Sequence, residues 1–514
     1  MNYRMILRLC GFCLLIEAAF MLLPVCYALY AGESPAPMLR SIVLVLLLGL
    51  PLALLVRPRT HALYAREGWF SAGAIWLLIS LGGALPFYFG GLSDDFIHCL
   101  FESVSGFTTT NASILEDMDE HPRTLLMWRS LTSWLGGMGV LVFLLALLPG
   151  KEVDTRSIAL LRAEAPGPTA SKLVPKMSQT AKLLYVIYLC LTGVTALALL
   201  LAKMSPFDAL IHAWSIAGTG GFSYRNESLA YYNSTAIHVI CSVSMLLASL
   251  NFMLFFHLAT RQFRAVYKDS ELRFHLFTIV SSTAVIAWNI RRLFPGAGKA
   301  LEHAFFQVSS LVTSTGFSSA DFNRWPTFSK MILLFLMMLG GCAGSTAGGL
   351  KSARVIILLK TGGREINRLL HPRMVRPVRL NGKPVDDAKV SQVLSFFLLY
   401  CCILFACALI LSLDGLDLVS TFSAAIAALN NVGPGFGKVG PAGNYAAFSR
   451  PSLLTLSLVM LLGRLEIFPI LILLAPNTLQ MHYQEVVGVG SRSWAKLRRK
   501  ANPATKLVGF NANP

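Results

Sequence analysis

Charge is what this chain has least of. Only 14% of its 514 residues are Asp, Glu, Lys or Arg, where a soluble domain carries roughly 25%. Hydrophobic residues reach 55% and mean hydropathy is +0.61, so the missing charge rather than added grease excludes a water-soluble globule. No CxxC pair is followed by a second at zinc spacing, and most of the ten cysteines lie inside apolar runs, as Cys10, Cys13, Cys241 and Cys407 do. That excludes a metal–thiolate centre and a structural disulfide. HExxH and GxSxG are both missing, which leaves an intramembrane enzyme without its machinery. GSTAGGLKS (344–352) and GPGFGK (433–438) lack the Gly-Lys-Ser/Thr that a phosphate loop needs. The first apolar run, 5–31, has no small-residue cleavage site and carries Glu17, so it reads as a retained helix and not a signal peptide.

What is present is a series of apolar runs, among them 41–56, 183–202, 240–260 and 452–475, each suited to the ~20 residues that cross a ~30 Å hydrocarbon core. The net charge of +18 is unevenly placed: the N-terminus (Arg4, Arg8) and segments 57–66, 151–182, 261–273, 351–389 and 492–506 hold 31 of the 44 Lys and Arg residues. Positive loops stay cytoplasmic, so these segments share one side, both termini are cytoplasmic, and an even number of crossings separates each from the next. The basic tail SRSWAKLRRK then faces lipid headgroups or solvent, with no nucleic acid as partner.

Polar turns interrupt the apolar pattern four times. ESVSGFTTTNASI (102–114), HAWSIAGTGGFS (212–223), QVSSLVTSTGFSS (307–319) and AAIAALNNVGPGFG (424–437) align without gaps. Asn111, Gly221, Gly316 and Gly433 share one column; Thr109, Thr219, Ser314 and Asn431 stand two residues earlier, and Thr110, Gly220, Thr315 and Val432 lie between. Each turn falls between two apolar segments: 68–90 and 123–149, 179–202 and 235–262, 272–294 and 329–362, 388–413 and 451–475. The predicted fold is an all-α polytopic membrane protein. Four tandem helix–pore loop–helix units surround one pore with pseudo-fourfold symmetry, behind two N-terminal transmembrane helices. The expected boundaries are 1–62 for the leading helices, 63–165, 166–265, 266–380 and 381–482 for the units, and 483–514 for a basic cytoplasmic tail. Non-helical backbone at membrane depth is tolerated where it lines a wet cavity or is buried in protein. Four such turns about an axis make a ring, and positive φ at the aligned column turns carbonyls toward it. A ring of carbonyls replacing a hydration shell filters a monovalent cation.

The motifs SVSGFTTT (103–110), HAWSIAGTGGFS (212–223), TSTGFS (313–318), GGCAGSTAGGLKSAR (340–354), NNVGPGFGKVGP (430–441) and GRLEIFPILILL (463–474) resemble, in order, those of the Trk/Ktr/HKT superfamily of potassium transporters, and within it the bacterial TrkH type. The likeness runs from residue 1 to about 482. It implies potassium uptake across the bacterial inner membrane, a homodimer, and a cytosolic TrkA-like nucleotide-binding ring, so that a nucleotide acts only through the partner. The twelve turn residues above become the potassium-contacting set. The family's first turn usually has glycine where this chain has Asn111. Asparagine enters the left-handed region readily, so the ring survives; in related plant transporters loss of that glycine goes with sodium permeation. A less selective Na⁺/K⁺-conducting member and a K⁺/Na⁺ or K⁺/H⁺ symporter both stand beside a gated potassium channel.

Five glycines crowd GGCAGSTAGG, 340–349, and each weakens a helix by ~1 kcal/mol. The segment reads as a break, and Gly340, Gly341, Gly344, Ser345, Thr346, Gly348 and Gly349 as a movable gate beneath the filter. Arg464 and Glu466 lie inside the last apolar run, where an ionisable residue signals function. Positions i and i+2 point to different faces of a helix, so the two do not pair. The resemblance puts Arg464 in the pore below the filter, as a barrier to a passing cation.

Overall fold

The computed structural model describes residues 2–57, 65–139, 177–372 and 377–474. Most of the expected basic segments 57–66 and 151–182, and the whole tail 483–514, lie outside the described residues.

Two leading helical stretches come first: α1 (Tyr3–Phe20) with α2 (Leu22–Ala31), then α3 (Ala36–Leu50), which continues into a π turn at Pro51–Leu55. Unit one is α4 (Ala65–Phe89), the short α5 (Phe96–Phe107) and α6 (Arg123–Gly137). Unit two is α7 (Met177–Leu201), α8 (Pro206–Ala217), and α9 (Thr235–Ser249) with α10 (Phe252–Ala259). The small α11 (Phe263–Tyr267) leads to unit three: α12 (Ser270–Ile290), α13 (Ala297–Val312), α14 (Thr327–Leu339) and α15 (Ser352–Leu370). A two-residue hairpin, β1 (Arg379–Leu380) with β2 (Lys383–Pro384), turns at Asn381-Gly382, both at positive φ, as an Asn-Gly turn favours. Unit four is α16 (Asp387–Leu411), α17 (Leu418–Leu429), α18 (Arg450–Arg464) and α19 (Phe468–Leu474).

Three of the four short helices start at side-chain caps. Asp95 accepts from the Ile97 N–H, Ser205 from Asp208 and Asp417 from Ser420, which satisfies amides that a helix start leaves unpaired. Each short helix packs between the two long segments of its own unit and also against the second helix of the unit before it. Thus α8 meets α6, α13 meets α9, α17 meets α14, and α5 closes the circle against α18. That cyclic packing is the pseudo-fourfold arrangement. The leading helices stand outside it, α1 against α3 and α4, and α2 against α6. Outer faces stay apolar: Leu197, Leu398, Phe405 and Leu409 are all exposed, as lipid-facing residues are.

Among the described residues five stretches are long and apolar enough to cross a bilayer: Tyr3–Ala31, Ala36–Leu55, Glu67–Phe89, Ala181–Leu201 and Asp387–Asp414. The bent pair Thr235–Ser249 and Phe252–Ala259 makes a sixth. Hydropathy predicts ten crossings with a break at 340–349 alone, and the second helices of units one, two and four are where that expectation needs correction. The segment 235–262 bends by 94° after Ser249. Segment 329–362 opens between Leu339 and Ser352, and 451–475 breaks after Arg464, with Glu466 and Ile467 at φ +54° and +70°. In unit one α6 ends at Gly137 and Gly139 takes φ +77°. These helices stop where they press on the turns. A Cβ on Gly136 would collide with the Phe107 carbonyl, and one on Gly463 with that of Leu429.

Gly136→Ala is therefore expected to lower stability by roughly 1–3 kcal/mol through overpacking. Gly193→Ala, on an open face of α7, should gain about 0.5–1 kcal/mol. Thermal unfolding of both variants in detergent checks the contrast.

Candidate functional site

The four turns after α5, α8, α13 and α17 share one backbone solution. The N–H of Thr109 donates to Gly106 and that of Thr110 to Ser105; Thr219 and Gly220 donate to Ile216 and Ser215; Ser314 and Thr315 to Leu311 and Ser310; Asn431 and Val432 to Ala428 and Ala427. This paired pattern is the Schellman helix ending, which places one residue in the left-handed region. Glycine usually takes that position. Here Thr109, Thr219, Ser314 and Asn431 do, at φ +57°, +54°, +52° and +52°. The aligned column is left-handed as well: Asn111 at +65°, Gly221 at +60°, Gly316 at +88° and Gly433 at +92°.

The turns adjoin one another in a closed circuit. A Cβ on Gly220 would sit 3.4 Å from the Thr109 Cα; Cβ atoms on Gly221, Gly316 and Gly433 would collide with the carbonyl oxygens of Thr315, Val432 and Thr110. Glycine is required at those three positions by both the left-handed backbone and the neighbour's oxygen. Hydroxyl pairs tie Thr108 to Thr110 and Thr313 to Thr315, each at 2.7 Å. Asn431 Nδ2 donates to Thr110 Oγ1 (3.0 Å) and to the Met460 carbonyl (2.9 Å). No donor among the described residues reaches the carbonyl oxygens of Thr109, Thr110, Thr219, Gly220, Ser314, Thr315, Asn431 or Val432. Their amides are consumed by the helix endings, so eight buried acceptors stand in one ring.

Outside the ring is a vestibule of about 130 Å³ lined by Asn111, Gly221, Gly316 and Gly433 together. Asn111 Nδ2 reaches across from unit one to the Gly316 carbonyl of unit three (3.4 Å). Tyr445 Oη donates to the Gly433 carbonyl (2.6 Å). Below the vestibule lies a pair that sequence reading had passed over. Arg129, 2% exposed, donates through Nε to Glu102 (3.1 Å) and through Nη1 to the Ser223 carbonyl (3.1 Å), with Phe222 stacked 3.8 Å beneath it. Glu102 in turn accepts from Ser113 Oγ (2.5 Å) and the Ile114 N–H (3.0 Å), which pins the strand leaving the first turn. An acid and a base 27 residues apart on facing apolar helices was the available signal. At the rim, the Asn226 amide (2.8 Å) and the Asp119 N–H (2.9 Å) donate to Asp117 and hold its carboxyl below the usual carboxylate range. Negative charge thus persists at the entrance.

On the other side of the ring the glycine-rich segment is a non-helical loop, with Gly340, Gly344, Gly349 and Lys351 all at positive φ. The Gly348 N–H donates to Ser314 Oγ (2.5 Å), and a Cβ on Gly348 would strike the Asn430 carbonyl. Gly340 lies against Gly349, whose Cα would be 2.8 Å from an added Cβ. The Cys342 N–H and Thr346 Oγ1 fill the last carbonyls of α9, on Ser249 (2.9 Å) and Ala248 (3.1 Å). Gly341 accepts from the Ser352 N–H (2.9 Å), and Ser345 Oγ donates to Cys342 (2.6 Å). Glu271 accepts from Ala343 (2.6 Å) and Ala353 (3.0 Å), gripping both ends of the loop.

Arg464, at the end of α18, donates to the Thr346 carbonyl (2.6 Å) and to those of Gly136 (2.6 Å) and Gly137 (2.5 Å). It joins the loop of unit three to the broken helix end of unit one. Glu466 pairs instead with Arg354, which stacks 4.2 Å over Phe396. The expected separation of Arg464 from Glu466 holds.

Four helix–turn–helix units closing a polar ring inside an apolar helical shell define a polytopic membrane transport protein. The model of the family described as "TrkH: Cation transport protein" matches residues 34–483. The Trk system potassium uptake protein TrkH of Vibrio parahaemolyticus is 36% identical over 491 residues, which cover 93% of this chain and 99% of that one. The Trk system potassium uptake protein TrkI of Halomonas elongata is 33% identical over 404 residues, 78% of this chain and 81% of that one. The crystal structure of the potassium transporter TrkH from Vibrio parahaemolyticus aligns with TM-score 0.84 at 34% identity, over 93% of this chain and 100% of that one. The chain belongs to the TrkH family of cation transport proteins.

Removing one member of the buried Glu102–Arg129 pair leaves a lone charge. Arg129→Ala is expected to cost about 3–5 kcal/mol, and Arg129→Ala with Glu102→Gln distinctly less. Detergent unfolding midpoints of the single and double variants measure the difference.

Proposed function

We propose that the protein takes up potassium across the bacterial inner membrane through a filter formed by the twelve turn residues. The observation that carries this reading is the ring of eight buried carbonyl oxygens without protein donors. A buried polar acceptor left unpaired is costly, and a dehydrated monovalent cation is the partner that repays it. The four short helices end at the ring, and the ~0.5 negative charge at each C-terminus favours a cation there. Names of relatives point the same way. The chain is then multi-pass with both termini cytoplasmic, forms a homodimer, and docks a cytosolic TrkA-like nucleotide-binding ring on its basic face. Growth of a potassium-uptake-deficient bacterium on low potassium tests uptake. Rubidium flux in liposomes, with and without a proton or sodium gradient, separates a channel from a symporter.

The loop 340–349 and Arg464 form the gate in this reading. The guanidinium stays protonated at any physiological pH, so the barrier falls only when the side chain or the loop moves. A charge ~4 Å from the ion opposes it by ~4 kcal/mol at an effective dielectric near 20. Arg464→Ala, and deletion within 344–348, are each expected to raise basal rubidium flux, by up to about a thousandfold for the arginine. Wild-type flux in both variants would put the gate elsewhere.

One observation favours a less selective member. The Asn111 amide lies over the outer mouth and donates to the Gly316 carbonyl, drawing that oxygen away from an ion. Asn111→Gly is expected to raise the K⁺/Na⁺ permeability ratio; an unchanged ratio would remove the amide from the account.

A further inference from the structure

Glu17 of α1 is 3% exposed and neither carboxyl oxygen has a hydrogen-bond partner among the described residues. The site around it is built. An added Cβ on Gly82 would lie 2.7 Å from Oε2, and one on Gly83 would lie 3.3 Å from Oε1, so the glycine pair of α4 makes the space the carboxyl occupies. A cavity of about 10 Å³ beside it is lined by Cys13, Ile16, Ile79, Phe107, Leu135 and Tyr185, room for about one water. Of the described residues facing Glu17 there, only Cys13 and Tyr185 titrate, and neither is a base that would balance a carboxylate. Tyr185 Oη already donates to the Gly139 carbonyl (3.4 Å).

Burying an unpaired charge in such surroundings is far costlier than burying a neutral acid. We infer that Glu17 is a membrane-buried proton-binding site, holding its proton as a neutral acid behind the first pore turn. Its neighbour Phe107 is the last residue of α5 and directly precedes Thr108-Thr109-Thr110. Phe107 also lies against Gly83, where a Cβ would be 2.5 Å from its ring. Enlarging or charging the carboxyl therefore displaces the foot of the unit-one turn.

A neutral acid in hydrocarbon is the substrate of an apolar carbodiimide. The carboxyl oxygen bonds to the central carbon while its proton moves to one nitrogen; the acyl group then shifts from that oxygen to the other nitrogen, giving an N-acylurea with no leaving group. Full-length protein in liposomes is treated with dicyclohexylcarbodiimide, and in parallel with a water-soluble carbodiimide. The apolar reagent should modify Glu17, read by peptide mass, and lower rubidium flux at least about tenfold, for which a ~1.4 kcal/mol higher barrier suffices. The flux of Glu17→Gln, whatever its starting level, should not fall further, and the water-soluble reagent should spare both proteins. Equal inhibition of wild type and variant would overturn the coupling to the turn. Infrared difference spectra between wild type and Glu17→Gln decide the proton independently of flux. The carbonyl stretch of a protonated carboxyl at neutral pH supports the site, and a carboxylate band in its place overturns it.

Discussion

Everything in this molecule depends on how four short helices end. A helix leaves its last carbonyls unpaired, and the Schellman ending recruits the next two amides to fill them. In water the residues that follow would find solvent. Here they are buried, their amides already spent, and their own carbonyls gather in one ring. Thr109, Thr219, Ser314 and Asn431 adopt the strained left-handed conformation because the surrounding packing over-determines it, a cost of order 1–3 kcal/mol each. Strain of that size repeated four times marks a functional centre, not an accident of one loop.

The same constraint organises what lies beneath. Gly136 of α6 and Gly463 of α18 press on the last carbonyls of α5 and α17, the second helices of the units end or bend at this level, and the broken ends leave carbonyls of their own. Arg464 fills those on Gly136 and Gly137, and the glycine-rich loop fills those on Ala248 and Ser249. One arginine and one loop thereby connect units one, two, three and four at a single level. An element that satisfies several helix ends at once cannot move without leaving acceptors bare. Above the ring, Glu102 and Arg129 do the corresponding work for the first turn, as a desolvated pair whose carboxylate also accepts from Ser113 and Ile114 and whose guanidinium also donates to Ser223.

Much of this was legible in residue order. Low charge gave the membrane; the gapless alignment of 102–114, 212–223, 307–319 and 424–437 gave four units and one column of left-handed residues. GGCAGSTAGG announced its own break through five glycines. Less was legible where a residue's conformation answers to a distant neighbour. Thr109, Thr219 and Ser314, two positions before the column, gave no hint of positive φ, because the local preference of threonine and serine is otherwise. The 94° bend after Ser249 and the break at Leu465–Ile467 contain no proline and no glycine cluster, so hydropathy drew them as unbroken spans.

What the sequence determined by itself, then, was the environment and the periodic plan, because both are written in composition and spacing that each segment carries alone. Only the tertiary structure decided partners. Arg464 joins Thr346 to Gly136 across 118 and 328 residues, Glu466 goes to Arg354, Asn111 faces Gly316, and Glu17 meets two glycines and no base among the described residues. Those pairings depend on which helices are brought side by side by cyclic packing. A sequence shows that an arginine or a glutamate lies in the membrane; which carbonyl or empty space receives it is fixed by geometry between units, at distances no local pattern encodes.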